Sequence, residues 1–196
     1  HTGYKIIYGS YASTDVYYRK PLTFHTCNPQ APATSFVMVN DIHGDNKLLE
    51  DLMSRCNLTQ TDFVLFNGDM LSFINSEDQL FKGFMDTAVR LFASEIPMYY
   101  ARGNHETRGV FATEIQRYFS PCQEHLYYAF RQGPVYCIVL DTGEDKPDSD
   151  IEYAGITQYD LYRTEQSEWL ASILESTEYK EAPFKIIVAH IPPAVY

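Results

Sequence analysis

The sequence predicts an α/β fold with parallel strands, and three observations carry that prediction. The apolar runs "SFVMV", "DFVLF" and "PMYYA" are each strand-length and rich in aromatic and β-branched residues. Between them lie longer segments whose apolar residues recur every three or four positions. A glycine-bearing polar cluster follows each run. Strands that alternate with helices in this way pair in parallel through right-handed crossovers.

The elements follow in order. Residues 4–26 are rich in Tyr, Thr and Ile and read as strand pieces, followed by the Pro-containing linker "CNPQAPATS". Residues 1–34 are therefore expected to form a leading β unit and linker, and residues 35–196 the main domain. After "SFVMV", the stretch "NKLLEDLMSRC" puts Leu48, Leu49, Leu52, Met53 and Cys56 at helical spacing. Asp45 is expected to cap that helix. After "DFVLF", the stretch 76–95 puts Leu80, Phe81, Phe84, Met85, Ala88, Leu91 and Phe92 on one helical side. The pair "LYYAF" and "PVYCIVLDT" around Gln132 and Gly133 predicts a hairpin. The acidic stretch from Gly143 to Tyr162 reads as a solvated insertion, placed where it can also cover a crevice. "TEQSEWLASILE" predicts a helix opened by Thr164 as its N-cap, and "FKIIVAH" a last strand.

Composition narrows the function classes. The net charge of -11 over 196 residues argues against a nucleic-acid surface, which is normally basic. No apolar run is long enough for a membrane span. The chain begins at His1 without a signal-peptide pattern, so it reads as a processed chain or an excised piece. Four cysteines form no C-x-x-C pair, and Cys56 and Cys137 are expected to be buried free thiols.

Four strand ends carry polar groups of a particular kind. The first gives Asp41 and His43 in "DIHGD", the second Asp69 in "NGD", the third Asn104 and His105 in "RGNHE", and the last His190. Ligand crevices of open α/β sheets lie at the carboxyl ends of the strands. Asp41 and His43 are two apart, so in extended chain they would point the same way. Carboxylate, imidazole and amide together suit Mn, Fe or Zn. Two divalent ions would outweigh the charges of Asp41 and Asp69, so an acidic chain can still attract a phosphate. Other polar residues have plainer readings. Glu106 and Arg108 read as an ion pair with each other or as outer support. Arg102 reads as a solvated or structural arginine, with phosphate contact the less favoured role. Asp141 ends a hairpin strand where it can line the crevice, and His25 and His125 read as loop residues.

The ordered blocks "DIHGD", "NGD", "GNHE" and His190 resemble the calcineurin-like metallophosphoesterase superfamily over residues 36–196. The resemblance implies a β-sandwich flanked by helices that holds a dinuclear centre of divalent or trivalent ions (Mn, Fe or Zn), with no organic cofactor. It implies that Asp41 and His43 bind one ion, Asp69 bridges, Asn104 and His190 bind the second, and His105 assists the leaving group. The implied activity is hydrolysis of a phosphorylated small molecule or other phosphoester by in-line attack of metal-bound hydroxide. The alternatives are a Ser/Thr-type protein phosphatase, a phosphodiesterase or nuclease, and a non-catalytic relative.

Within the superfamily, the opening strands resemble the end of the Ig-like domain of purple acid phosphatases, which favours a periplasmic or secreted location. Two features depart from that group. Ser72 stands where those enzymes carry a metal-binding Tyr, and His43 stands where they lack a His. The "GDMLSF" stretch lacks the phosphate-binding Arg of Ser/Thr phosphatases. No G-H-x-H follows His190, where the family takes one further ligand for each ion. The expectation is therefore a fragment truncated at its C-terminus, weak in metal binding and hydrolysis when isolated, with an exposed sheet edge prone to self-association.

Overall fold

The computed structural model describes residues 23–24, 26–119 and 124–192. The expected strand pieces of the leading unit, and with them the Ig-like remnant, fall almost wholly outside these residues, as do His25 and Cys122. The linker is described, and it is tied to the hairpin turn. The Thr34 hydroxyl donates to the Gln132 carbonyl at 2.6 Å, and Gly133 N–H donates to the Asn28 carbonyl at 3.0 Å.

Two three-stranded sheets stack face to face. In the first, β1 (Phe36–Val39), β2 (Phe63–Asn67) and β3 (Met98–Ala101) run parallel in that order. In the second, β4 (Tyr128–Gln132) and β5 (Val135–Val139) form the expected antiparallel hairpin, and β6 (Phe184–Val188) joins β5 in parallel. Alternation along each strand divides its side chains between two layers. Phe63 and Leu65 of β2 meet Val135, Cys137 and Val139 of β5 between the sheets. The Tyr99 and Phe130 rings stack there with centroids 3.8 Å apart.

Helices cover both outer faces. Val64 and Phe66 pack against Leu49 and Met53 of α1 (Asn46–Met53) and against a longer helical run over 77–93. In that run α2 (Glu77–Leu80) and α3 (Asp86–Ala88) alternate with π turns at Phe81–Met85 and Val89–Ala93. The buried residues Leu80, Phe84, Ala88 and Phe92 are spaced by four. A plain α-helix would carry that spacing gradually around the cylinder; the wider π turns keep the four on one face. A short α4 (Gln116–Phe119) follows β3. On the far side Tyr136, Ile138 and Leu140 pack against Trp169, Leu170 and Ile173 of α5 (Tyr159–Glu175), which α6 (Thr177–Glu181) follows.

Several local expectations are corrected. Helix α1 buries only Leu49 and Met53 and leaves Leu48 and Leu52 exposed, because it lies over an edge of the sheet. Cys56 is half-buried, its thiol on the Leu52 carbonyl at the frayed end of α1; Cys137 is buried as expected. Helix α5 begins at Tyr159, so Thr164 is an interior residue whose hydroxyl donates to the Asp160 carbonyl. The true cap comes from the acidic loop. Both Asp148 carboxylate oxygens accept N–H groups of the first turn, from Tyr159 at 2.9 Å and Asp160 at 2.8 Å.

Candidate metal centre

The carboxyl ends of β1, β2 and β6 and the turn after β3 meet at one place. The backbone there is unusual. Among the described residues, Asp41, His43, Asp69 and Ala154 are the non-glycine residues with positive φ, at 57°, 50°, 53° and 50°. Left-handed backbone costs roughly 1–2 kcal/mol at a residue with a Cβ, and such strain gathers at functional sites. The expectation that Asp41 and His43 project from extended chain is thus replaced by left-handed turns beyond Val39, which still bring the two side chains together.

Hydrogen bonds hold these turns. Asp41 N–H donates to the Gly68 carbonyl, His43 N–H to that of Asp69 and Gly44 N–H to that of Met70, at 3.1, 3.0 and 2.8 Å. The β1–β2 pairing therefore continues past the strands into the site. Glu106 is fully buried and gathers three backbone donors: Asp69 and Gly103 at 2.9 Å and Leu71 at 3.0 Å. Burial raises the Glu106 pKa, and the N–H donors oppose that rise. Gly103 admits the Asp69 carboxylate, since a Cβ there would stand 2.2 Å from its Oδ1.

Three imidazoles face one carboxylate oxygen. The Nε2 atoms of His190, His105 and His43 lie 3.3, 3.8 and 3.9 Å from Asp69 Oδ2. In each ring Nδ1 meets a protein oxygen: the Asn67 carbonyl for His190 at 2.7 Å, the Ser72 carbonyl for His105 at 2.9 Å, and the Ser72 hydroxyl for His43 at 3.2 Å. Histidines that bind metals are oriented in this way, with one nitrogen on a protein oxygen and the other free for the ion. Asp41 Oδ1 is 3.8 Å from His43 Nε2. Two groups bring their ligand atoms within 4.8 Å of one another: Asp41, Asp69 and His190; and His43, Asp69 and His105. The donor set fits divalent or trivalent first-row ions. Burial works to raise the Asp69 pKa, but His190 and His105 hold it below the usual carboxylate value. Asp69 in turn pushes His190 up to about 9.

The other residues singled out from the sequence divide clearly. Asn104 is half-buried at the start of the turn that carries His105. Asp45 caps α1, accepting Leu48 N–H at 2.9 Å. Asp141 does not line the crevice: it is fully buried and holds the Arg102 guanidinium at 2.8 Å and the Tyr162 hydroxyl at 2.8 Å. Arg102 is structural, as expected. Glu106 and Arg108 do not pair with each other. Glu106 serves the backbone, and Arg108 is bound to Glu144. Nor is the acidic loop simply solvated, because Gly143 and Glu144 at its start are buried, Glu144 on Arg108 and Thr107. His125 lies outside regular structure, its ring against Tyr127. Ser72 is the residue whose role sequence reasoning missed. It orients two of the three histidines, and only its spacing from Asp69 singled it out.

Comparison with known proteins gives a family and a fold. The family model for calcineurin-like phosphoesterases matches residues 34–196, so the chain belongs to that family. The fold is similar to that of the purple acid phosphatase PPD1 from yellow lupin (Lupinus luteus) seeds, at TM-score 0.55 and 18% identity over 82% of this chain and 31% of that one. It is also similar to a dimetal phosphatase from Danio rerio, at TM-score 0.56 and 13% identity over 84% of this chain and 71% of that one. The chain thus spans about a third of the lupin enzyme's length. Comparison with curated proteins gives no match.

Proposed function

We propose that the protein is a dinuclear-metal phosphoric ester hydrolase. The observation that carries this reading is the convergence of three Nε2 atoms on Asp69 Oδ2, in a chain of the calcineurin-like phosphoesterase family. When bound, two ions of Mn, Fe or Zn supply Lewis acidity and activate water near neutral pH. Asp41 and His43 would hold one ion and Asn104 and His190 the other, with Asp69 shared between the two. The Nδ1 contacts to Asn67 and Ser72 keep His190, His43 and His105 in position.

His105 donates a proton to the leaving oxygen. With Nδ1 donating to the Ser72 carbonyl, Nε2 has a proton to give only when the ring is an imidazolium. The side chain is 30% exposed, open enough to meet a substrate. The substrate is a phosphoester, and the acidic surface makes a nucleic acid the less suitable one.

The test is hydrolysis of a para-nitrophenyl and an alkyl phosphate by the full-length protein with Mn. His105→Ala should lower kcat by roughly 10²-fold or more on the alkyl ester, as for loss of an acid–base group. Both ions should stay bound, and the loss should shrink for the nitrophenol leaving group. Equal losses on both esters would reduce His105 to positioning the phosphoryl oxygens.

A further inference from the structure

Two arginines flank the "GNHE" turn, and the structure uses them in opposite ways. Arg102 is turned away from the metal ligands and closed off. Its Nε and Nη2 both sit on Asp141, and its side chain is 14% exposed. Arg108 stands on the cleft side, with its side chain 42% exposed. Its Nε and Nη2 make a two-point bond to Glu144, each at 2.9 Å. Glu144 itself is buried, and the Thr107 hydroxyl lies 2.7 Å from its Oε1. The fork is therefore fixed from below.

The remaining corner of the guanidinium points toward the chemistry. Arg108 Nη1 is 3.4 Å from both ring nitrogens of His105, so neither in-plane lone pair is aimed at it. His105 Nδ1 is already engaged by Ser72, and His105 Nε2 faces Asp69. Among the described residues, the Nη1 hydrogens are thus held beside the proposed proton donor without a strong protein acceptor. A guanidinium offers a rigid set of donors matched to phosphoryl oxygens, and a carboxylate partner fixes its plane.

On the hydrolase reading given above, we propose that Arg108, held by Glu144, contacts the phosphoryl group and biases the site toward phosphomonoesters. A monoester is close to a dianion at neutral pH and offers three terminal oxygens. A diester is a monoanion with two. One added cation at the cleft therefore favours the monoester.

The experiment uses the full-length protein with Mn, para-nitrophenyl phosphate, bis(para-nitrophenyl) phosphate and inorganic phosphate. Arg108→Ala should lower kcat/KM for the monoester by roughly 10- to 100-fold, the range for a hydrogen bond to a charged group. The change should fall mainly in KM, and inhibition by inorganic phosphate should weaken in parallel. The loss on the diester should be several-fold smaller. Arg108→Lys keeps the charge without the fork and should recover part of the loss. Glu144→Gln should raise KM for the monoester by a smaller factor, because the fork is no longer pinned. Equal losses on both esters, or unchanged phosphate inhibition in a folded Arg108→Ala, would overturn the assignment and leave Arg108 as a loop tie. A parent protein that hydrolyses neither ester and binds no phosphate would instead sink the hydrolase reading, and this one with it.

Discussion

The central strands and the flank strands of the sandwich are built differently, yet the site draws on both. Every residue of β5 and the first four of β2 are buried. At the open flank, β1 and β6 leave Phe36, Met38, Phe184 and Ile187 exposed. Asp69 follows the central β2, whereas Asp41 and His43 follow β1 and His190 follows β6. Side chains from the less buried strands would be poorly fixed on their own. They are instead tied to the extension of β2, by the backbone bonds to Gly68, Asp69 and Met70 and by His190 on the Asn67 carbonyl. The site's rigidity is thus that of β2, lent outward through hydrogen bonds.

The largest expected effect is on the central strand. Phe66→Ala should destabilise the protein by roughly 3–5 kcal/mol, as for other buried aromatic truncations. Phe184→Ser, on a side chain 62% exposed, should cost well under that. Denaturant unfolding of both variants makes the check, and a similar cost for the two would break the distinction. The flank also sharpens it another way. Met38→Lys with Phe184→Lys should reduce any concentration-dependent association seen by light scattering, since charge on an edge discourages strand pairing.

The smallest effect concerns the loop that reaches the site. Burial works to raise Glu144, but hydrogen bonds from Arg108 and Thr107 hold it below its ordinary 4.5. A carboxylate lowered in the folded state stabilises above its unfolded pKa, and that stabilisation is lost as pH falls through the folded value. The difference in Tm between the parent and Glu144→Gln should therefore be present at pH 7 and shrink progressively as the pH falls below 4.5. It should correspond to no more than about 1 kcal/mol, because Arg108 is partly exposed. A difference that grew on acidification would contradict the pairing.

Much of this molecule is legible in its sequence because the signals are local. Strand length, helical spacing, the Asp45 cap and the polar clusters at strand ends each lie within a few residues. What escaped reading depends on partners far along the chain. Helix α5 starts early because Asp148 caps it from 11 and 12 residues upstream. Arg108 finds Glu144 across 36 positions, so the nearer Glu106 looked like its partner. Glu106 is taken up by backbone donors that converge only once β2 and β3 are paired. The left-handed turns at Asp41 and His43 fall on non-glycine residues beside Gly44, and the β2 extension imposes them.

In the proposed dinuclear site Asp69 is the shared residue, because among the described residues it belongs to both groups of convergent ligand atoms. The most direct test is the metal content of full-length parent and Asp69→Asn proteins, measured by elemental analysis after reconstitution with Mn. Two ions per chain are expected in the parent and loss of both from the variant, with hydrolysis lost alongside. An Asp69→Asn protein that still holds two ions would contradict the bridging role.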